Sequence, residues 1–197
     1  MPALRTMLAN QDIDARLLAA EAIARIDPVH CDDAIRVLSD VVSGKMVDGR
    51  RNVVILLGRI GPSARTAIPA LLDFMRSSET PRDAADAASA ALKIDPIAAP
   101  EAVERFRSAI LGEMGDDGDD WLDRLRYLGR AAKPLMPALI EALASKQEAI
   151  RDAAISAIAG LGPHAKDTLP ALRALEKTAA KKPERLAEAI KRVERKK

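Results

Sequence analysis

Four carboxylates crowd into Gly115-Asp116-Asp117-Gly118-Asp119-Asp120, and oxygen ligands at that density are what a divalent cation requires. The run departs from an EF-hand loop. Neither Tyr127 nor Leu128 supplies the closing bidentate acid, and the glycine falls at the wrong place. It reads instead as a connection, with Asp119 or Asp120 capping a helix that begins near Trp121. Two histidines, His30 and His164, lie beside Pro28 and Pro163 in loop-like stretches. The run His30-Cys31-Asp32-Asp33 offers a thiol next to an imidazole, but adjacent residues rarely give a nucleophile and base the side-chain geometry they need. Cys31, the single cysteine, is expected to behave as a small hydrophobe. With no Cys/His series at zinc spacing and no nucleophile-base-metal cluster, no catalytic residue, metal or cofactor is assigned.

The elements that must carry any site are helical. Among 197 residues, 48% are hydrophobic and 2% aromatic, and the 38 Ala and 22 Leu favour helix over strand. The 31 Lys and Arg nearly cancel the 29 Asp and Glu, so net charge argues against a nucleic-acid partner or an anionic membrane surface. A basic end from Lys166 to Lys197 sets eleven cations against five acids, a charge asymmetry that is not evidence for DNA. No run approaches the roughly 18 apolar residues of a membrane span, and the start lacks an apolar stretch behind a basic lead. A cytoplasmic location is expected, and an unpaired cysteine fits a reducing compartment.

The chain repeats itself. Gly61-Pro62-Ser63-Ala64-Arg65-Thr66-Ala67-Ile68-Pro69-Ala70-Leu71 returns in register as Gly162-Pro163-His164-Ala165-Lys166-Asp167-Thr168-Leu169-Pro170-Ala171-Leu172, and a third copy runs from Gly129 to Leu139. One slot is filled by Pro2, Ile35, Pro69, Val103, Pro137 and Pro170, at separations of 33, 34, 34, 34 and 33. Each unit holds two apolar stretches, one opened by Pro and one closed by Gly or Asp, and so reads as a helical hairpin. Pro69 opens the first helix (A) of one unit, and Arg82 to Ile94 supplies its second (B), stopping at Asp95-Pro96. On the B helices, Ala19, Ala22, Ile23 and Ile26 recur as Val53, Leu56, Leu57 and Ile60 and as Ala154, Ala157, Ile158 and Leu161, one face that should be buried. The units lie near 2–34, 35–68, 69–102, 103–136, 137–169 and 170–197 of a single domain, 1–197. Ile35 and Val103 break the proline rule in the second and fourth.

The Pro-Ala-Leu opening, Arg16 or Arg151 early in helix B followed by alanines, and the Ile/Leu-Gly/Asp-Pro close resemble the HEAT repeat, specifically the short bacterial HEAT-like type also found in phycobilin lyases. The resemblance implies an all-α fold, a right-handed α-solenoid of about six hairpins, whose B helices line the concave surface. It also implies that Arg16, Arg50, Arg151 and Arg185, near one slot of helix B, pair with acids or carbonyls of the adjoining unit. In the same frame Arg25, Arg59, Lys93, Tyr127 and Gly160 align, and with Glu21, Asn52, Asp86, Ser89, Asp120 and Asp123 they form the polar side of the B helices. The candidate partner-binding residues are therefore Arg25, Asn52, Arg59, Asp86, Lys93, Asp120, Asp123 and Tyr127. Trp121 is assigned to the core.

The function expected is a noncatalytic scaffold that binds a protein or peptide. The paired His-Glu dipeptides of a deoxyhypusine-hydroxylase-like di-iron enzyme are missing. Two alternatives stay open: a HEAT-like enzyme, bilin-lyase-like or of the DNA-alkylation glycosylase kind, with Trp121, Tyr127 and nearby Asp residues around an extruded base; or an architectural segment of a larger protein. Met1-Pro2-Ala3-Leu4 already lies at a helix opening with no polar cap before it, so Leu4, Met7 and Leu8 are expected to be exposed and open to self-association.

Overall fold

The computed structural model describes residues 2–27, 29–44, 49–178 and 184–195. Pro28 and Lys181-Lys182-Pro183 lie outside them. Twelve α-helices and no strand occur among the described residues. They pair as α1 (Pro2–Met7) with α2 (Ile13–Ile26), α3 (Asp32–Ser43) with α4 (Arg50–Ile60), α5 (Ile68–Ser77) with α6 (Pro81–Ile94), α7 (Pro100–Ile110) with α8 (Gly118–Leu125), α9 (Met136–Leu143) with α10 (Glu148–Leu161), and α11 (Leu169–Thr178) with α12 (Glu184–Glu194). Odd-numbered helices are the A helices and even-numbered the B helices.

Two compact units divide the chain, 1–102 and 103–197, a boundary inside the first turn of α7. In the first, α3 packs on α5, and α4 packs on both α2 and α6. In the second, α11 packs on α9, and α10 packs on both α8 and α12. Each helix thus touches its hairpin partner or its counterpart in the next hairpin, the nearest-neighbour pattern of an α-solenoid.

Proline governs where the A helices begin. Pro69 and Pro137 sit in the first two positions of α5 and α9, and Pro170 is the second residue of α11. A proline there gives up an N–H that has no intrahelical acceptor, so it is tolerated at the start and forbids an extra turn before it. Where the slot holds Ile35, the amide donates to the Cys31 carbonyl at 2.9 Å, and α3 starts at Asp32, two residues earlier in the frame than α5, α9 and α11. α7 also starts three residues ahead of its slot, Val103, but there Pro100 is its first residue.

Ahead of α5 and α11 the Gly-Pro copies form short 3-10 turns, Gly61–Ala67 and Gly162–Thr168. Gly61 (φ 74°, ψ −140°) and Gly162 (φ 54°, ψ −128°) occupy matching conformations that only glycine adopts cheaply.

On α10 the four residues that the periodicity indicated, Ala154, Ala157, Ile158 and Leu161, are buried, but on α2 and α4 the buried stripe is rotated from the one indicated. On α2 it is Ala19, Ala20, Ile23 and Ala24, while Ile26 is 64% exposed. On α4 it is Val53, Val54, Leu57 and Gly58. A B helix packs on its own A helix and on neighbouring B helices at once, so small residues at positions 20, 24 and 58 are drawn inside. At Gly58 the approach is closest: a Cβ there would lie 3.0 Å from Ala90 Cα and 3.1 Å from Ala90 Cβ. Leu8, expected on an open end, is 9% exposed, whereas Met7 is 38% exposed and Leu4 half-buried.

In the second unit Phe106 of α7 meets Trp121 of α8 edge to face, with ring centroids 5.1 Å apart. Trp121 is 1% exposed, as a core residue should be. Its buried Nε1–H finds no acceptor among the described residues, a cost of about 1–3 kcal/mol that ring burial must outweigh. On α12, Leu186, Ala189 and Val193 are buried, while Arg185, Lys191 and Arg192 keep to the surface side.

Substitutions at two positions test this packing by urea unfolding. Gly58→Leu should cost about 1–3 kcal/mol, because a side chain cannot enter the α4–α6 contact without moving backbone. Trp121→Ala should cost about 3–5 kcal/mol, and Trp121→Phe much less, since it keeps a ring against Phe106 and removes the orphaned donor. Equal losses for the two Trp121 variants would refute this account of the second core.

Candidate functional site

Successive B helices leave a groove in each unit. In the first it lies between α2 and α4, with a volume of about 280 Å³. Leu17, Leu18, Val53, Ile55 and Leu56 supply its apolar surface, and Glu21, Asn52 and Arg59 its polar edge. Leu18 is 65% and Ile55 42% exposed, large apolar side chains left in water beside an ion pair. That pair is loose: Arg59 Nη2 stands 3.9 Å from Glu21 Oε1.

In the second unit the groove runs across α8, α10 and α12 and measures about 980 Å³. Its floor is the small-residue face of α10, Ala153, Ser156, Ala157 and Gly160. Asp119, Asp120 and Asp123 line one wall with Arg126 and Tyr127, and Arg185 and Arg192 line the other. Arg185 donates to Ser156 Oγ at 3.2 Å, and Arg192 Nε to Glu188 Oε1 at 2.8 Å. The hydrogen bond from Arg192 holds the Glu188 carboxyl below the usual glutamate range. Arg126 pairs with Asp123 and covers the Tyr127 ring at 5.5 Å. Gly160 lets Arg126 come close, since a Cβ there would meet Arg126 Cβ at 2.9 Å.

Of the eight residues read from the sequence, Asn52 and Arg59 come together in the first groove, and Asp120, Asp123 and Tyr127 in the second. Arg25, in the last turn of α2, and Lys93, in the last turn of α6, line neither, Arg25 being exposed and Lys93 half-buried. Asp86 departs from its assignment. It is 7% exposed and accepts from Arg51 Nε at 2.7 Å, with Asp83 3.6 Å from the same atom. A carboxylate so placed joins α6 to α4 and is withdrawn from a partner. Ser89, 4% exposed, is withdrawn likewise.

The early-B arginines also serve packing, by means other than one shared rule. Arg50 lies over the Phe74 ring at 5.1 Å. Arg151 donates to the carbonyls of Ser145 and Lys146 at 2.8 and 2.9 Å, closing the turn of its own hairpin and not the adjoining one. Arg185 reaches back to the preceding hairpin, and Arg16 Nε is buried without a hydrogen-bond acceptor among the described residues.

The acidic loop is not an open cradle. Gly115–Asp117 forms a 3-10 turn and α8 begins at Gly118, so Asp119 and Asp120 lie inside the first turn and do not cap it. There they complement the positive end of the helix. No group of three metal-ligating side chains occurs among the described residues. Cys31 is 2% exposed, and burial, then the charge of Asp32, push its thiol up from the ordinary value. At Asp27 burial works against ionisation, but the ring and backbone N–H of His30 donate to the carboxylate, which is held below its usual range. His30 is thereby turned toward Asp27 at 3.0 Å.

Repeated hairpins with grooves between successive B helices define a helical-repeat protein. The HEAT repeat model matches residues 135–165, which span α9, α10 and the start of the turn after them. Among solved structures the chain is similar to an engineered protein, at 18% identity and a TM-score of 0.45, covering 97% of this chain and 93% of that one. It is similar also to the complex of CpcE and CpcF of phycocyanin lyase from Nostoc sp. PCC7120, at 17% identity and a TM-score of 0.42, covering 98% and 93%. No curated protein matches the sequence. Among the described residues no helix is long and apolar enough to cross a membrane.

A buried, raised-pKa thiol is a poor nucleophile. Cys31 in the native protein should therefore react with a disulfide reagent such as dithionitrobenzoate at least tenfold more slowly than in urea. Native reaction at the unfolded rate would show that the α2–α3 turn opens freely.

Proposed function

We propose that the chain is a noncatalytic HEAT-type scaffold that binds a protein or peptide along its B-helix face. One observation carries the reading: in both units the surface between successive B helices is recessed and mixes exposed large side chains, Leu18 and Ile55 in one and Tyr127 in the other, with charged groups. Apolar anchors ringed by charge are the usual make-up of protein-binding surfaces. The enzyme alternative of a base-extruding glycosylase needs aromatic faces in the groove. Trp121 is committed to Phe106 in the core, which leaves Tyr127 alone among the acids of α8.

Photo-crosslinking tests the reading. A benzoylphenylalanine at position 55 or 127, on the B-helix face, is expected to trap protein partners in extract of the source cell. The same group at position 140, on the A helix α9 where Ile140 is 38% exposed, is expected to trap far less. Equal trapping at position 140 would remove the B-helix assignment. Release of alkylated base from DNA by the chain, abolished by Asp120→Asn or Asp123→Asn, would replace it with the enzyme reading.

A further inference from the structure

We propose that the B-helix face of the second unit docks a helix of a partner protein, one that turns small residues to the groove floor and carries basic side chains along one edge and acidic side chains along the other. The inference rests on the protein-binding reading and names the ligand of its larger groove.

The two walls of that groove are opposite in sign. α10 packs on both α8 and α12, and the floor it provides, Ala153, Ser156, Ala157 and Gly160, has no side chain larger than serine. Asp119, Asp120 and Asp123 stand on the α8 wall, and Arg185 and Arg192 on the α12 wall. Part of this charge is satisfied within each wall, since Asp123 pairs with Arg126 and Arg192 with Glu188. One group on each wall is left for a ligand. Asp119 is exposed and makes no ion pair among the described residues. Arg185, also exposed, donates to a neutral acceptor, Ser156 Oγ at 3.2 Å, and meets no acid among the described residues. Tyr127, 60% exposed on the acidic wall, offers a ring along which the stem of a lysine can lie.

The form of the ligand follows from width and sign. Neighbouring helices stand about 8–10 Å apart, so the axes of α8 and α12, two steps apart, are separated by up to about 20 Å. An extended chain, about 5 Å wide, meets one wall and not both. A helix about 10–12 Å across reaches both, and a groove of about 980 Å³ takes about two turns of it. Small residues on its underside let it settle about 8 Å from α10, the near end of the packing range, which brings its edges level with the walls. A helix charged alike on both edges gains at one wall and is repelled at the other. With Lys toward α8 and Glu toward α12 it gains at both. A phosphate backbone carries one sign and is repelled by the aspartates.

The probe is a fluorescein-labelled, alanine-based peptide of about 20 residues, held helical by a hydrocarbon crosslink on its outward side, with Glu along one edge of an alanine face and Lys along the other. It is titrated with the full chain by fluorescence anisotropy at low salt. The controls carry Glu on both edges, Lys on both edges, or the first sequence broken by central prolines and left uncrosslinked. Turning a helix end for end exchanges its edges, so a peptide with Glu and Lys exchanged does not serve as a control. Exposed ion pairs contribute about twofold each and like charges cost a similar amount. The two-signed helix should therefore bind about fivefold more tightly than either one-signed helix, with a lead that shrinks as salt rises. Asp119→Lys should narrow its lead over the Glu peptide, and Arg185→Glu its lead over the Lys peptide. Ala153→Leu, which raises the floor, should weaken all three helices by roughly tenfold, each variant being checked for an unchanged urea midpoint. Equal or tighter binding by a one-signed or the proline-broken peptide, or binding by none of them, would overturn the inference. Self-association of the chain that Ala153→Leu abolishes would give the groove to a second copy and overturn it as well. If position 127 still traps partners after such a result, the protein-binding reading stands and only the two-signed helix falls; if positions 55 and 127 trap nothing, both fall.

Discussion

The close approach of neighbouring B helices is the constraint from which the rest follows. It is set at α4 and α6, where Gly58 lies against the backbone of Ala90, and it is maintained by buried alanines at positions 85, 87, 88 and 91 of α6. Alanine and glycine bury little area each, so such an interface gains stability from the number of well-fitted contacts and not from large side chains. That explains how a chain with 2% aromatic residues folds. It also leaves little tolerance: side chains too large to fit between the B helices are pushed to their rims, and the rims are where the grooves form.

The hairpins were legible in the sequence because glycine and proline act through the backbone alone. A Gly-Pro pair, then a Pro seven residues after that first Pro, imposes the same turn whatever surrounds it. Legibility ended where tertiary contact takes over. Without a proline at its slot α3 runs back to Asp32, where the Ile35 amide finds the Cys31 carbonyl, whereas α7 is opened three residues ahead of Val103 by Pro100. Ile26 was read as core from its period, yet the stripe is turned toward Ala20 and Ala24 by packing on two neighbours at once. Periodicity reports one buried face, and a B helix has more than one.

The candidate site was legible to the extent that position in the repeat sets exposure. Asn52, Arg59, Asp120, Asp123 and Tyr127 fall on groove walls because their slots face away from the hairpin partner. Asp86 occupies the same slot as Asn52 and Asp120 but is claimed by Arg51, which stands where the other units have Leu17, Ala85 and Asp119. A single cation one helix away converts a surface acid into an internal tie, and no pattern within α6 reveals it. The grooves' apolar members, Leu18 and Ile55, were missed for the opposite reason: aliphatic residues in a helix are read as core until neighbouring helices prove too far away to cover them.

The repeat frame is one, but the two units carry different surfaces on it. The slot that holds Arg25, Arg59 and Lys93 in the first unit holds Tyr127 and Gly160 in the second. The slot of Leu18 and Asn52 becomes Asp120 and Ala153. A substitution at such a slot leaves hairpin packing intact, because the packing positions lie elsewhere on the helix, and so the surface is free to diverge while the scaffold stays the same. The second unit places cations on α12 and acids on α8 across a small-residue floor, pairing most of its charge internally through Arg126 with Asp123 and Arg192 with Glu188. In the first unit Arg59 meets Glu21 at the outer limit of an ion pair.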